Sequence, residues 1–154
     1  MEDLWPDDLV DDGDLERTPV TILKEQASLL GKKTKNIVKA KVEKSDALYA
    51  GRNRVLGDLS YVFLIYAPAL GDYTYMLFAI SHDIHLYPVR FLVDEAIANE
   101  MGLQQPEKVA IANSEQEFVT ILSRILKSQK MRQIVNVIRS QSLATVEEGT
   151  TQAD

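Results

Sequence analysis

The sequence contains no cysteine. Disulfide frameworks, thiolate zinc sites and cysteine nucleophiles are therefore excluded. Only two histidines occur, His82 and His85, and one tryptophan, Trp5. Long hydrophobic runs are missing as well. The longest, residues 61–70, spans ten positions and includes Pro68. A membrane-spanning helix needs about 20. The N-terminus carries acids where a secretory signal needs bases. There is no internal repeat, no GxGxxG, no HExxH and no glycosylation sequon. The expectation is a soluble cytoplasmic chain with no cofactor, no metal and no membrane partner.

What is present looks ordinary until the charge is partitioned. Hydrophobic residues make up 45% and charged residues 26% of 154, near the average for one soluble domain. The net charge is -6. Residues 1–17 hold eight acids and one base, a net -7; residues 18–142 are net +4; residues 143–154 are net -3. A mildly basic body thus lies between two acidic ends. High charge and little apolar content predict a disordered acidic arm over 1–17. Residues 18–142 form a single domain in this reading, and 143–154 a flexible acidic tail.

The body reads as α+β. Thr18 can cap a first helix, with Pro19 at its first position and Gly31 as its stop. Residues 37–44 alternate Val38, Ala40 and Val42 with Lys39, Lys41 and Glu43, the pattern of a half-buried edge strand. Residues 59–67 and 73–80 are apolar on both faces, as central strands are. The segment 81–83 reads as a turn. Residues 86–93 form a fourth strand, and Pro88 suggests an edge position or a bulge there. A short helix over 94–101 ends at Gly102, and 108–112 is a short fifth strand. Ser114-Glu115-Gln116-Glu117 is a capping box. Phe118, Ile121, Leu122, Ile125 and Leu126 follow it at helical spacing. Ser128 can cap a second helix, or one helix can run through 114–142. The expected architecture is an antiparallel meander of four to five strands, with one face packed by an N-terminal helix and one or two C-terminal helices.

Chemistry is sparse. Neighbours on a strand point to opposite faces, so His82 and His85 converge only around a turn. The His82-Asp83 pair resembles the dyad of HD-type metal phosphohydrolases over two residues. Those enzymes are helical, with further histidines that this chain lacks. Residues 31–34, Gly-Lys-Lys-Thr, resemble a phosphate-binding loop. That motif needs glycine at 26 and Ser or Thr at 33; Gln26 and Lys33 stand there instead. The segment also ends a helix, where the dipole repels anions.

Partner binding is the better expectation. Leu4, Trp5 and Leu9, with Val10, are apolar anchors on the acidic arm. The arm can be a solubilising tail, a segment that orders on a partner, or a cover folding back on the basic body. Two basic stretches are prominent. Residues 24–54, with Lys32, Lys33, Arg52 and Arg54, are net +6, and 118–142, with Arg124, Lys127 and Lys130, are net +5. The leading expectation is a non-catalytic protein-interaction or regulatory domain whose partner is another protein. A nucleic-acid module using both basic stretches is the second reading, and Tyr61, Phe63, Tyr73 and Tyr75 could then stack bases. A hydrolase using His82 and His85 is the third.

Overall fold

The structure, a computed structural model, describes residues 1–10, 17–45, 58–103 and 109–152. Its element order is α1 (Pro19–Lys33), β1 (Lys39–Lys44), β2 (Leu59–Tyr66), β3 (Thr74–His82), β4 (Val89–Val93), α2 (Glu95–Met101), β5 (Val109–Ala112), α3 (Glu115–Leu126) and α4 (Gln129–Gln152), with a 3-10 turn at Pro68–Leu70. The strands form one antiparallel sheet in sequence order, β1-β2-β3-β4-β5. The fold is α+β, as the sequence pattern requires.

Local chemistry sets most boundaries. The Thr18 hydroxyl accepts from Thr21 N–H at the start of α1. α1 passes Gly31 and ends at Lys33, correcting the expected stop. A left-handed pair, Lys35 and Asn36, turns the chain instead, and Asn36 N–H donates to Gly31 C=O at 2.7 Å. Asp94 caps α2 through Ile97 N–H at 2.8 Å, and left-handed Gly102 closes it. The serine half of the capping box forms, Ser114 accepting from Glu117 N–H, while the Glu117 carboxylate reaches one residue further back and accepts from Asn113 N–H. The C-terminal region is two helices. The chain breaks at Lys127–Ser128, and the Ser128 hydroxyl accepts from Met131 N–H. The boundary expected at 142 falls inside α4, because no helix breaker occurs before Gly149.

Two strand expectations need correction. β3 runs on through Ser81 and His82, so the turn begins at Asp83. β4 is interior, between β3 and β5. Pro88 precedes the strand, in a cis peptide with Tyr87, and so removes no ladder hydrogen bond. The irregularity lies in β3, where Phe63 pairs with Phe78 and Leu64 with Met76, leaving Leu77 as the extra residue of a bulge.

One core joins all four helices to one sheet face. Phe63, Ile65, Phe78, Ile80, Phe91, Val93 and Ala110 meet Ile22 and Leu23 of α1, Ile97 of α2, Phe118 and Leu122 of α3, and Ile134 and Ile138 of α4. Four rings step across it: Phe63–Phe78 at 5.1 Å, Phe78–Phe91 at 5.8 Å and Phe91–Phe118 at 5.0 Å between centroids. Such offset and tilted pairs add to the area they bury.

Candidate interaction surface

The strand residues of alternate parity lie outside that core. They are Val62, Leu64 and Tyr66 of β2, Met76 and Ala79 of β3, Leu92 and Arg90 of β4, Val109 and Ile111 of β5, and Lys39, Lys41 and Glu43 of β1. Register brings them together: Val62 opposes Ala79, Ala79 opposes Leu92, Leu92 opposes Val109, and Arg90 opposes Ile111. Among the described residues, no helix covers this face. The centre of this face is nonetheless buried at Val62 and Ala79. Met76 is 42% and Ile111 51% exposed. Bases stand at both ends of the stripe. Lys41 lies 5.1 Å from the centroid of the Tyr66 ring and 3.3 Å from Glu43, and Arg90 is exposed at the other end.

The sequence-predicted residues are placed as follows. Leu4, Trp5, Leu9 and Val10 are all exposed, Leu4 at 87% and Trp5 at 71%, on a stretch with no helix or strand. Lys32 and Lys33 are exposed in the last turn of α1, where cations complement the helix dipole. Arg52 and Arg54 lie outside the described residues. Arg124 is exposed, yet its guanidinium donates to Met101 C=O at 3.1 Å, at the carboxyl end of α2. Beside it, Glu100 accepts from Gln129 N–H at 3.0 Å. Lys127 is exposed and Lys130 half-exposed at the same corner.

The second basic stretch runs along α4, and its Arg139 lies within one turn of Ser142, beside the end of α1. The far end of α4, at Leu143 and Val146, lines a crevice with Asn36, just beyond Lys32 and Lys33. Lys130 lies about 20–24 Å along the helix axis from that end. The crevice itself, with Ile37, Pro68 and Ala69, holds about 200 Å³, below the usual range for a small-molecule site.

The histidines do not converge. His82 is buried, on the core side, with its ring 6.3 Å from that of Tyr61. Its Nδ1 donates to Asp83 C=O at 2.8 Å, and its buried Nε2 has no hydrogen-bond partner among the described residues. His85 is exposed on the turn, its N–H donating to the Asp83 carboxylate. Among the described residues, no three His, Asp or Glu side chains could hold a metal, and no helix is long and apolar enough to cross a membrane. Of the aromatics weighed for base stacking, Phe63 is in the core, and Tyr61 and Tyr75 are half-buried against it. Only Tyr73 is largely exposed.

Sequence reasoning missed the open sheet face. Its signal was the alternate parity of β4 and β5, where Leu92, Val109 and Ile111 stand opposite Phe91 and Ala110. Comparison with protein-family models, with curated proteins and with solved structures gave no match.

Proposed function

We propose that this chain is a small, non-catalytic protein-interaction or regulatory domain of the cytoplasm, and that its partner is a protein seated on the open sheet face. The observation that carries the reading is the helix-free stripe of Leu64, Met76, Leu92 and Ile111 with bases at its ends. Apolar residues gathered on a surface mark interaction sites when they form one contiguous patch. A flat apolar centre with a charged rim is the anatomy of a protein interface.

Affinity capture with the full chain tests it, with Met76→Glu/Ile111→Glu as the matched control. Both positions are exposed, so the fold should survive. A protein bound by the wild type should be lost from the variant, and should rebind the wild type after purification. Equal capture by both chains overturns the reading.

A nucleic-acid reading is favoured by one observation. Residues 118–142 carry five bases and no acid, and Lys127, Arg132 and Arg139 are exposed. Retention on DNA that falls steeply with salt would support it. Lys127→Glu/Lys130→Glu should then abolish that retention; no retention at low salt removes it. The structure gives the hydrolase reading no support, since one histidine faces the core and the other solvent.

A further inference from the structure

Two bases of the helical side share one flank of α4. At 3.6 residues per turn, positions 132, 139, 143 and 146 fall within about 60° of one another. The last two of these, Leu143 and Val146, line the crevice with Asn36 and Ile37. Arg132 and Arg139 are exposed, so both stand on the crevice side of the helix. Across the crevice, Lys32, Lys33 and Lys35 are exposed within four residues of Asn36. Lys130, by contrast, falls on the opposite flank of α4. We infer that Lys32, Lys33, Lys35, Arg132 and Arg139 form one track that binds the phosphate backbone of a nucleic-acid duplex. The inference rests on the nucleic-acid reading above and assigns it a different set of bases. The track lies on the helical side, so it leaves the open sheet face to a protein.

Three observations carry it. The first is that the charge is unspent. Among the described residues, none of these five bases is held in an ion pair. α4 has no acid before Glu147. That residue, with Asp72 two positions past the 3-10 turn, marks the crevice end of the track. The second is shape. Arg132 and Arg139 stand about 10 Å apart along the helix axis, and the track continues over the crevice to the end of α1. A line of bases fits a line of phosphates better than a plane of lipid headgroups. The third is the lack of rings. Neither α4 nor residues 24–45 contain an aromatic residue. Single strands are held by stacking their bases on aromatic side chains, and helices on membrane surfaces commonly sink Trp or Phe. A duplex backbone needs positive charge alone.

The probe is a fluorescein-labelled DNA duplex of about 20 base pairs, titrated with the full chain between about 50 and 200 mM salt. Five phosphate contacts give a slope of about -4.5 in log affinity against log salt, a loss of about 500-fold over that range. Arg132→Gln/Arg139→Gln removes two contacts. It should reduce the slope to about -2.7 and the loss to about 40-fold. Lys33→Gln/Lys35→Gln should do the same from the other side of the crevice. Lys127→Gln/Lys130→Gln should leave the slope at its wild-type value. A duplex of scrambled sequence should bind equally well. The far-ultraviolet spectrum of each variant should match the wild type.

A wild-type slope flatter than about -2 counts fewer than three contacts and overturns the inference. So does an effect of the arginine pair with none from the lysine pair of α1, because the crevice would then not be bridged. A slope reduced in Lys127→Gln/Lys130→Gln and kept in Arg132→Gln/Arg139→Gln overturns the track while the nucleic-acid reading stands. No binding at low salt removes both. Binding to phosphatidylserine vesicles with none to the duplex assigns the bases to a membrane and also overturns the inference.

Discussion

The two faces of this sheet are built from the same strands and differ in nearly everything else. One face meets four helices and carries the ring series from Phe63 to Phe118. The other carries Val62, Leu64, Leu92 and Ile111 without a helix among the described residues. Stability should reside almost wholly on the first face and binding on the second. The sharpest way to break that comparison is to empty the helical side. Phe118 is fully buried against Phe91, so Phe118→Ala should cost about 3–5 kcal/mol in a denaturant melt. Leu122→Ala should fall at about 2–5 kcal/mol. A loss below half a kcal/mol for either would mean that the terminal helix does not anchor the sheet.

The fold was legible because its signals are local. Thr18-Pro19, the Ser114–Glu117 capping box, Asp94 and Gly102 each set an element boundary through a hydrogen bond to the neighbouring backbone. The alternation in β1 was equally direct, since lysines mark a solvated edge. The open face was not legible, for a physical reason. A strand apolar on both faces, like β2, satisfies a sheet covered on both sides as well as one covered on a single side. Only tertiary placement of the helices decides between them. Pro88 misled because its position one residue before β4 cannot be told from a position inside it. Among the candidate site residues, the arm anchors were readable from composition, whereas Met76, Leu92 and Ile111 needed the register.

A smaller effect should come from the rim of the helical side. Asp94 holds α2 through Ile97 N–H and accepts from the Tyr75 hydroxyl at 3.3 Å. Partial burial, followed by the Asp94 charge, raises the Tyr75 pKa. Asp94→Ala should cost about 1–2 kcal/mol through the lost cap. It should also let the Tyr75 phenol ionise at lower pH in an ultraviolet titration. In the wild type, a raised folded-state value contributes stability that is complete below the ordinary tyrosine range and is lost as pH rises through it, above about pH 10. A Tyr75 titration unmoved in Asp94→Ala would deny the coupling.

Tyr87 should give an effect of opposite sign. Its ring packs on the core, but its buried hydroxyl has no hydrogen-bond partner among the described residues. Burial, then the Glu115 charge, raises its pKa, while Arg17 opposes them. An unmet buried hydroxyl costs about 1–3 kcal/mol, so Tyr87→Phe should be neutral to stabilising by about 1 kcal/mol. A loss of more than that in a melt would assign the hydroxyl a partner.

The smallest change is the one that tests the open face itself. Met76 and Ile111 are exposed on β3 and β5, so replacing them removes little packing from the folded body. At high salt, Met76→Ser/Ile111→Ser should shift stability by no more than about 0.5 kcal/mol, the usual range for surface positions. A loss above about 2 kcal/mol at high salt would mean that the face is packed within the monomer. The contrast between a face that stabilises and a face that binds would then collapse.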